Sequence, residues 1–230
     1  MADQTDAITT FSTFIQTFTD FLTTAIHTIL YERNLYPATT FLSAKKYNYS
    51  VRQSRHPKVC RWITDAVDAV HSELLKGSVD KVCLVIYSPT AEVVALERVV
   101  FDTSRFPVVA KEFHSTPMSA STADGDDEIV AVLPRVDLEE QMRATMAKLS
   151  TCSSRLQRLP DGCSFSLAIE LRGGHAQAPL GNPQPWVPVQ PDVGMSAGVE
   201  RAKTTPLRSV AAGDMVFEAW VEEPKAKFVS

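Results

Sequence analysis

Histidine and cysteine are the side chains best suited to metal binding or nucleophilic chemistry, and this chain has five of the first and four of the second. His27, His56, His71, His114 and His175 include no HExxH pair and no other close ligand spacing, so no zinc site is expected. Cys60, Cys83, Cys152 and Cys163 lie far apart, form no CxxC pair and sit in no protease signature. They read as buried thiols of a reducing compartment, cytosol or nucleus. A GxSxG elbow is absent, and Gly173-Gly174 lacks the spacing, the lysine and the following helix of a phosphate cradle. The acidic groups Asp126-Asp127-Glu128 and Glu139-Glu140 read as solvated charge, the first in a loop and the second in the first turn of a helix, where acids favour the dipole. The expectation is a protein without catalytic residues, metal or cofactor.

One segment offers chemistry of another kind. Ser43 to Lys58 holds Lys45, Lys46, Arg52, Arg55 and Lys58 with Tyr47 and Tyr49 and no acid. Cations interleaved with aromatics can follow a phosphate backbone and stack on bases, and a solvated connector packed on a domain has the same composition. The net charge of -4, from 23 basic and 27 acidic side chains, provides no global field for nucleic acid or an anionic membrane. No apolar run approaches the roughly 20 residues of a membrane span. Met1 to Thr10 lacks the cationic and apolar regions of a secretory signal.

The elements that must position these groups begin with Phe11, Phe14, Ile15, Phe18, Leu22, Ile26, Ile29 and Leu30, whose steps of three and four predict a helix ending before Tyr36-Pro37. A second helix is predicted from Pro57 through Trp62, Ile63, Ala66, Val67, Val70 and Leu74 to Gly77, and the stretch before it reads as a connector. Lys81 to Tyr87 and Val93 to Phe101, separated by Ser88-Pro89-Thr90, predict an antiparallel hairpin. The residues between His114 and Glu128 are too polar to order themselves and read as a surface loop. Asp137 with Glu140 reads as the N-cap of a third helix through Leu138, Met142, Met146, Leu149 and Leu156. Phe165 to Leu171 and Met215 to Val221 alternate as strands. Between them, Arg172 to Pro206 is too rich in proline and glycine for a helix or a central strand. A long irregular excursion of this kind tends to be functional. The order of elements is not a βαβ alternation, which predicts an α+β fold with helices on a mostly antiparallel sheet.

The run Ile29 through Pro37 (ILYERNLYP), then Phe41, Lys45-Lys46-Tyr47-Asn48, Ser54, His56-Pro57, Trp62-Ile63 and Asp65, resembles the HORMA-domain family, and within it the accessory subunits of translesion DNA polymerase zeta. The similarity resumes at Lys81-Val82, Val100-Phe101, Gly162-Cys163, Pro185-Trp186, Pro206-Leu207 and Val221-Glu222-Glu223. The resemblance implies a single domain over 1–230, with three helices on the sheet: a core of about 8–171, a safety belt and C-terminal hairpin over about 172–223, and a tail at 224–230. It also implies a non-catalytic, nuclear adaptor, also cytoplasmic in some settings, whose belt closes over a proline-containing peptide of the polymerase catalytic subunit. The positions matching that contact surface are Tyr36, Trp62, Trp186 and Val187. Trp62 also fits a core position of the second helix, whereas a tryptophan at 186 inside a proline-rich loop has little reason to be there other than as an anchor. A second surface, for the C-terminal domain of another translesion polymerase, matches Thr204, Glu218 and Trp220; Thr204 stands where vertebrate members have leucine and Glu218 where they have glutamine. Arg143 matches the arginine of a HORMA-to-HORMA dimer interface. Spindle-checkpoint or meiotic adaptors of the same fold, and a nucleic-acid-binding module built on Lys45 to Lys58, are the other readings.

Overall fold

The phenylalanine-rich stripe forms α1 (Phe11–Glu32), on which Phe14, Ile15, Phe18, Phe21, Leu22, Ala25, Ile26 and Leu30 are fully buried. The structure, a computed structural model, describes residues 7–90, 94–117, 119–120, 129–130, 133–173 and 202–224. Thr10 caps α1: its hydroxyl accepts from the Thr13 amide and the Thr13 hydroxyl oxygen accepts from the Thr10 amide, each at 3.2 Å. The helix ends at Arg33, followed by Asn34 at φ 53°, ahead of Tyr36-Pro37 as expected.

The second helix, α2 (Pro57–Leu75), starts on its proline and buries Val59, Ile63, Val67, Val70 and Leu74. It stops at Gly77, which has φ 69° and whose Cβ, if it had one, would lie 2.8 Å from Val108. Glycine is required there twice over, by the backbone and by the packing. The third helix, α3 (Arg135–Cys152), buries Leu138, Met142, Thr145, Met146 and Leu149.

A five-stranded sheet lies against this layer. Its strands are β4 (Val79–Tyr87), β5 (Ala95–Asp102), β9 (Ser164–Leu171), β10 (Ala202–Ala212) and β11 (Met215–Pro224), in the order β10-β11-β5-β4-β9, with every pairing antiparallel. Met215, Phe217, Ala219 and Val221 all turn inward, as their alternation predicts. Phe217 meets Phe18 and Phe21 at ring-centroid distances of 5.3 and 5.4 Å, and Phe101 meets Phe21 edge-on at 6.0 Å. Two short pairs lie outside this sheet: β1 (Ala7–Ile8) with β8 (Leu133–Pro134), and β6 (Ser119–Ala120) with β7 (Ile129–Val130).

Three expectations are corrected. The stretch read as a connector is a hairpin, β2 (Phe41–Lys46) and β3 (Tyr49–Ser54), turning through Tyr47 and Asn48 at φ 52° and 53°. Two positive-φ residues make a two-residue turn whose twist suits a hairpin, yet glycine, the usual sign of it, is absent. Burial of the Tyr47 ring, 6.4 Å from Phe21, offsets the backbone cost. Helix α3 begins at Arg135, so Asp137 lies in its first turn and is not its N-cap, and it ends at Cys152, leaving Leu156 beyond it, half-buried after a 3-10 turn. Finally, the end of the proline-rich stretch is ordered: residues 202–206 open β10. The register shifts between Pro206 and Arg208, and the strand lies at the sheet edge, the two settings in which a strand tolerates proline.

Candidate functional site

The end of α1, the first turns of α2 and the start of β9 converge on a trough. Trp62 is held against Phe165 edge to face at 4.8 Å and 81°, and Tyr36 meets the same ring at 6.3 Å and 87°. Tyr36, His56, Lys58, Val59, Trp62, Ser164 and Phe165 line a cavity of about 370 Å³. Trp62 is 38% exposed, so it is a surface ring rather than a core residue of α2. Burial pushes the Tyr36 phenol up from its ordinary pKa, as an apolar surround requires.

Strand β9 borders this trough and pairs only with β4 among the described residues. Its other edge presents backbone donors and acceptors beside three aromatic rings, which is the arrangement that accepts an extended peptide as an added strand. Where β9 ends, Arg172 is tied down: its Nε donates to Asp80 Oδ1 at 3.0 Å and its Nη2 to the carbonyls of Ser104 and Phe106 at 2.9 and 3.2 Å. Where β10 begins, Lys203 Nζ donates to the Arg155 carbonyl at 3.1 Å. The segment 174–201 thus leaves from one edge strand and returns at the other.

Of the peptide-contact positions inferred from sequence, Tyr36 and Trp62 come together here, and Trp186 and Val187 lie outside the described residues. Phe165, which touches both rings, was legible only as an inward strand residue, because nothing local says that its strand is an edge. Lys58 was read as part of a basic segment, although its spacing of four from Trp62 on a helix already put the two on one face.

Thr204, Glu218 and Trp220 share the sheet face turned away from the helices. Thr204 stands opposite Glu222 and Trp220 opposite Pro206 and Val100, with Glu218 two residues along. Trp220 Nε1 donates to Glu222 Oε1 at 2.8 Å, and Glu222 lies 3.5 Å from Arg98, which also binds Glu170 and the Cys83 sulfur. Burial alone would raise the Glu170 carboxyl, but hydrogen bonds from Lys81 and Arg98 carry it below its usual pKa. Arg143 lies on α3, 3.6 Å from Glu140 on the same helix and half-buried.

The basic segment does not form a base-stacking platform. Tyr47 is buried, and Arg52 covers the ring of Tyr31 at 4.6 Å. His27 is structural: its Nδ1 accepts from the Ser54 amide at 3.3 Å, and burial lowers its pKa. Among the described residues no three of His, Cys, Asp and Glu are placed to hold a metal ion, and the four cysteines are free thiols.

The HORMA domain family matches residues 15–172. A Schizosaccharomyces pombe protein named DNA polymerase zeta processivity subunit is 32% identical over 91% of this chain and 92% of its own length. A Danio rerio protein named mitotic spindle assembly checkpoint protein MAD2B is 30% identical over 90% of each chain. Among solved structures, a chain of a mitotic checkpoint complex superposes with a TM-score of 0.66 at 18% identity, covering 92% of this chain and 98% of the other. HTP-2 bound to a motif of HTP-3 gives 0.63 at 12% identity, covering 98% and 99%. The family match over most of the chain and the identity to these relatives agree, and the chain belongs to the HORMA-domain family.

Proposed function

We propose that this chain is a non-catalytic accessory subunit of DNA polymerase zeta that holds a proline-containing segment of the catalytic subunit along β9. The observation behind this reading is the β9 edge, which pairs with no strand among the described residues, beside the rings of Tyr36, Trp62 and Phe165. An extended segment would add its backbone to β9 and lay a proline ring among the aromatics, with Trp186 and Val187 closing over it from the 174–201 connection. Enclosure of this sort slows release more than contact area alone would. The name of the 32% identical relative supports the choice of polymerase. In this reading the protein works in the nucleus. Thr204, Glu218 and Trp220 receive the C-terminal domain of a second translesion polymerase, and Arg143 lies in a contact between two HORMA domains.

Copurification from nuclear extract, followed by crosslink mapping of the bound segment, tests the proposal. The expected result is a polymerase catalytic subunit crosslinked through a proline-containing stretch to β9 or α2. A second reading, a spindle-checkpoint adaptor, is favoured by the name of the Danio rerio relative. Recovery of a checkpoint activator with no polymerase subunit would replace the first reading by this one.

A further inference from the structure

The trough has an apolar floor and a cationic rim. Arg55, His56 and Lys58 lie at the start of α2 and Arg61 one turn on; all four are exposed. Lys58, Arg61 and Trp62 fall at helical spacing on one face, and Lys58 and His56 line the cavity itself. None of Arg55, His56, Lys58 and Arg61 is in an ion pair among the described residues. Acids are sparse here: no Asp or Glu occurs from Ser43 to Thr64, and the flanking Asp65 and Asp161 pair with none of the four. Elsewhere the cations are mixed: Arg33, Lys76, Lys81, Arg98, Arg135, Arg143, Arg172 and Lys203 face a carboxylate within the chain, whereas Lys45, Lys46, Arg105, Lys111, Lys148 and Arg155 are in no ion pair among the described residues. What distinguishes the trough is that Arg55, Lys58 and Arg61 lie within seven residues of one another with no acid between them, and that Lys58 lines the cavity.

We propose that the segment seated among Tyr36, Trp62 and Phe165 carries an aspartate or glutamate beside its apolar anchor, and that Lys58 and Arg61 read it, with Arg55 adding to the field. This rests on the peptide-binding reading above and adds a charge requirement to it. The partner is an acidic, proline-containing stretch of protein. The rim is solvated, so its contribution is selectivity and encounter rate more than affinity, and salt screens it.

The test pans the whole chain against a phage-displayed library of fully random dodecapeptides, with the Lys58→Glu/Arg61→Glu chain in parallel. Both substituted positions are exposed, and a thermal melt checks that the fold is kept. The wild type is expected to enrich proline with Asp or Glu close to it, and the charge-reversed chain proline with Lys or Arg. In a selected peptide, changing that Glu to Gln is expected to weaken binding about two- to fivefold at low salt, with the difference gone at about 0.5 M NaCl. Proline enrichment without acidic bias, identical for both chains, overturns the charge requirement and leaves the peptide reading standing. No enrichment of proline overturns both.

Discussion

A tryptophan that keeps 38% of its surface in water, braced edge-on by Phe165, has area still to bury when a partner arrives. Trp62→Ala is therefore expected to lower affinity for the bound segment by about 2–4 kcal/mol, the range of a buried aromatic anchor. Its effect on unfolding should stay near or below about 1 kcal/mol, because little of the core is lost. Calorimetric titration and urea denaturation separate the two quantities. His27 works in the opposite sense, being useful to the fold only while neutral. Its folded pKa lies below the unfolded value of 6.5, so the unfolded chain takes up the proton first. Stability from this residue is present above pH 6.5 and is lost as pH falls through that value toward the folded pKa. The slope cannot exceed about 1.4 kcal/mol per pH unit for one proton. Melts of wild type and His27→Gln between pH 7.5 and about 5 are expected to converge as the pH drops.

At the scale of elements, the buried pair Arg33–Glu97 ties the end of α1 to β5, and the same guanidinium donates to the Gln157 carbonyl at 2.5 Å. Glu97→Ala leaves a guanidinium buried without its carboxylate and is expected to cost about 3–5 kcal/mol in urea denaturation. The β2–β3 turn allows a gain. Asn48 sits at φ 53°, so Asn48→Gly is expected to raise stability by up to about 1 kcal/mol, read in the same experiment. The hairpin also marks where sequence patterns stopped short. Helices α1 and α2 and strands β4, β5, β9 and β11 were legible because their apolar residues repeat at 3.6 or 2. The hairpin turn holds a tyrosine held in place by Phe21, a tertiary contact that no local pattern records. Strand β10 was hidden by Pro206, which is tolerated because of where β10 lies in the sheet.

For the whole molecule, sheet order decides what the site is, and sheet order is the least local property of the chain. Tyr36 and Trp62 could be named from a family resemblance, and Phe165 could be placed on an inward face. That β9 forms an edge among the described residues follows only from β10 and β11 having joined the far side of β5. A chain ending at Gly213 should accordingly lose the partner of β10 and the neighbour of β5 together, with Phe217 gone from between Phe18 and Phe21. Its circular dichroism melt is expected to lose the cooperative transition of the full chain.

The position of β11 also governs how the protein is made. It lies between β10 and β5, so a strand made late, after every other described strand, is an interior one. At about 5–20 residues per second, β5 is translated roughly 6–24 s before the residues that will cover its edge. Through that interval Val99, Val100 and Phe101 line an unpaired strand edge, open to the wrong partner.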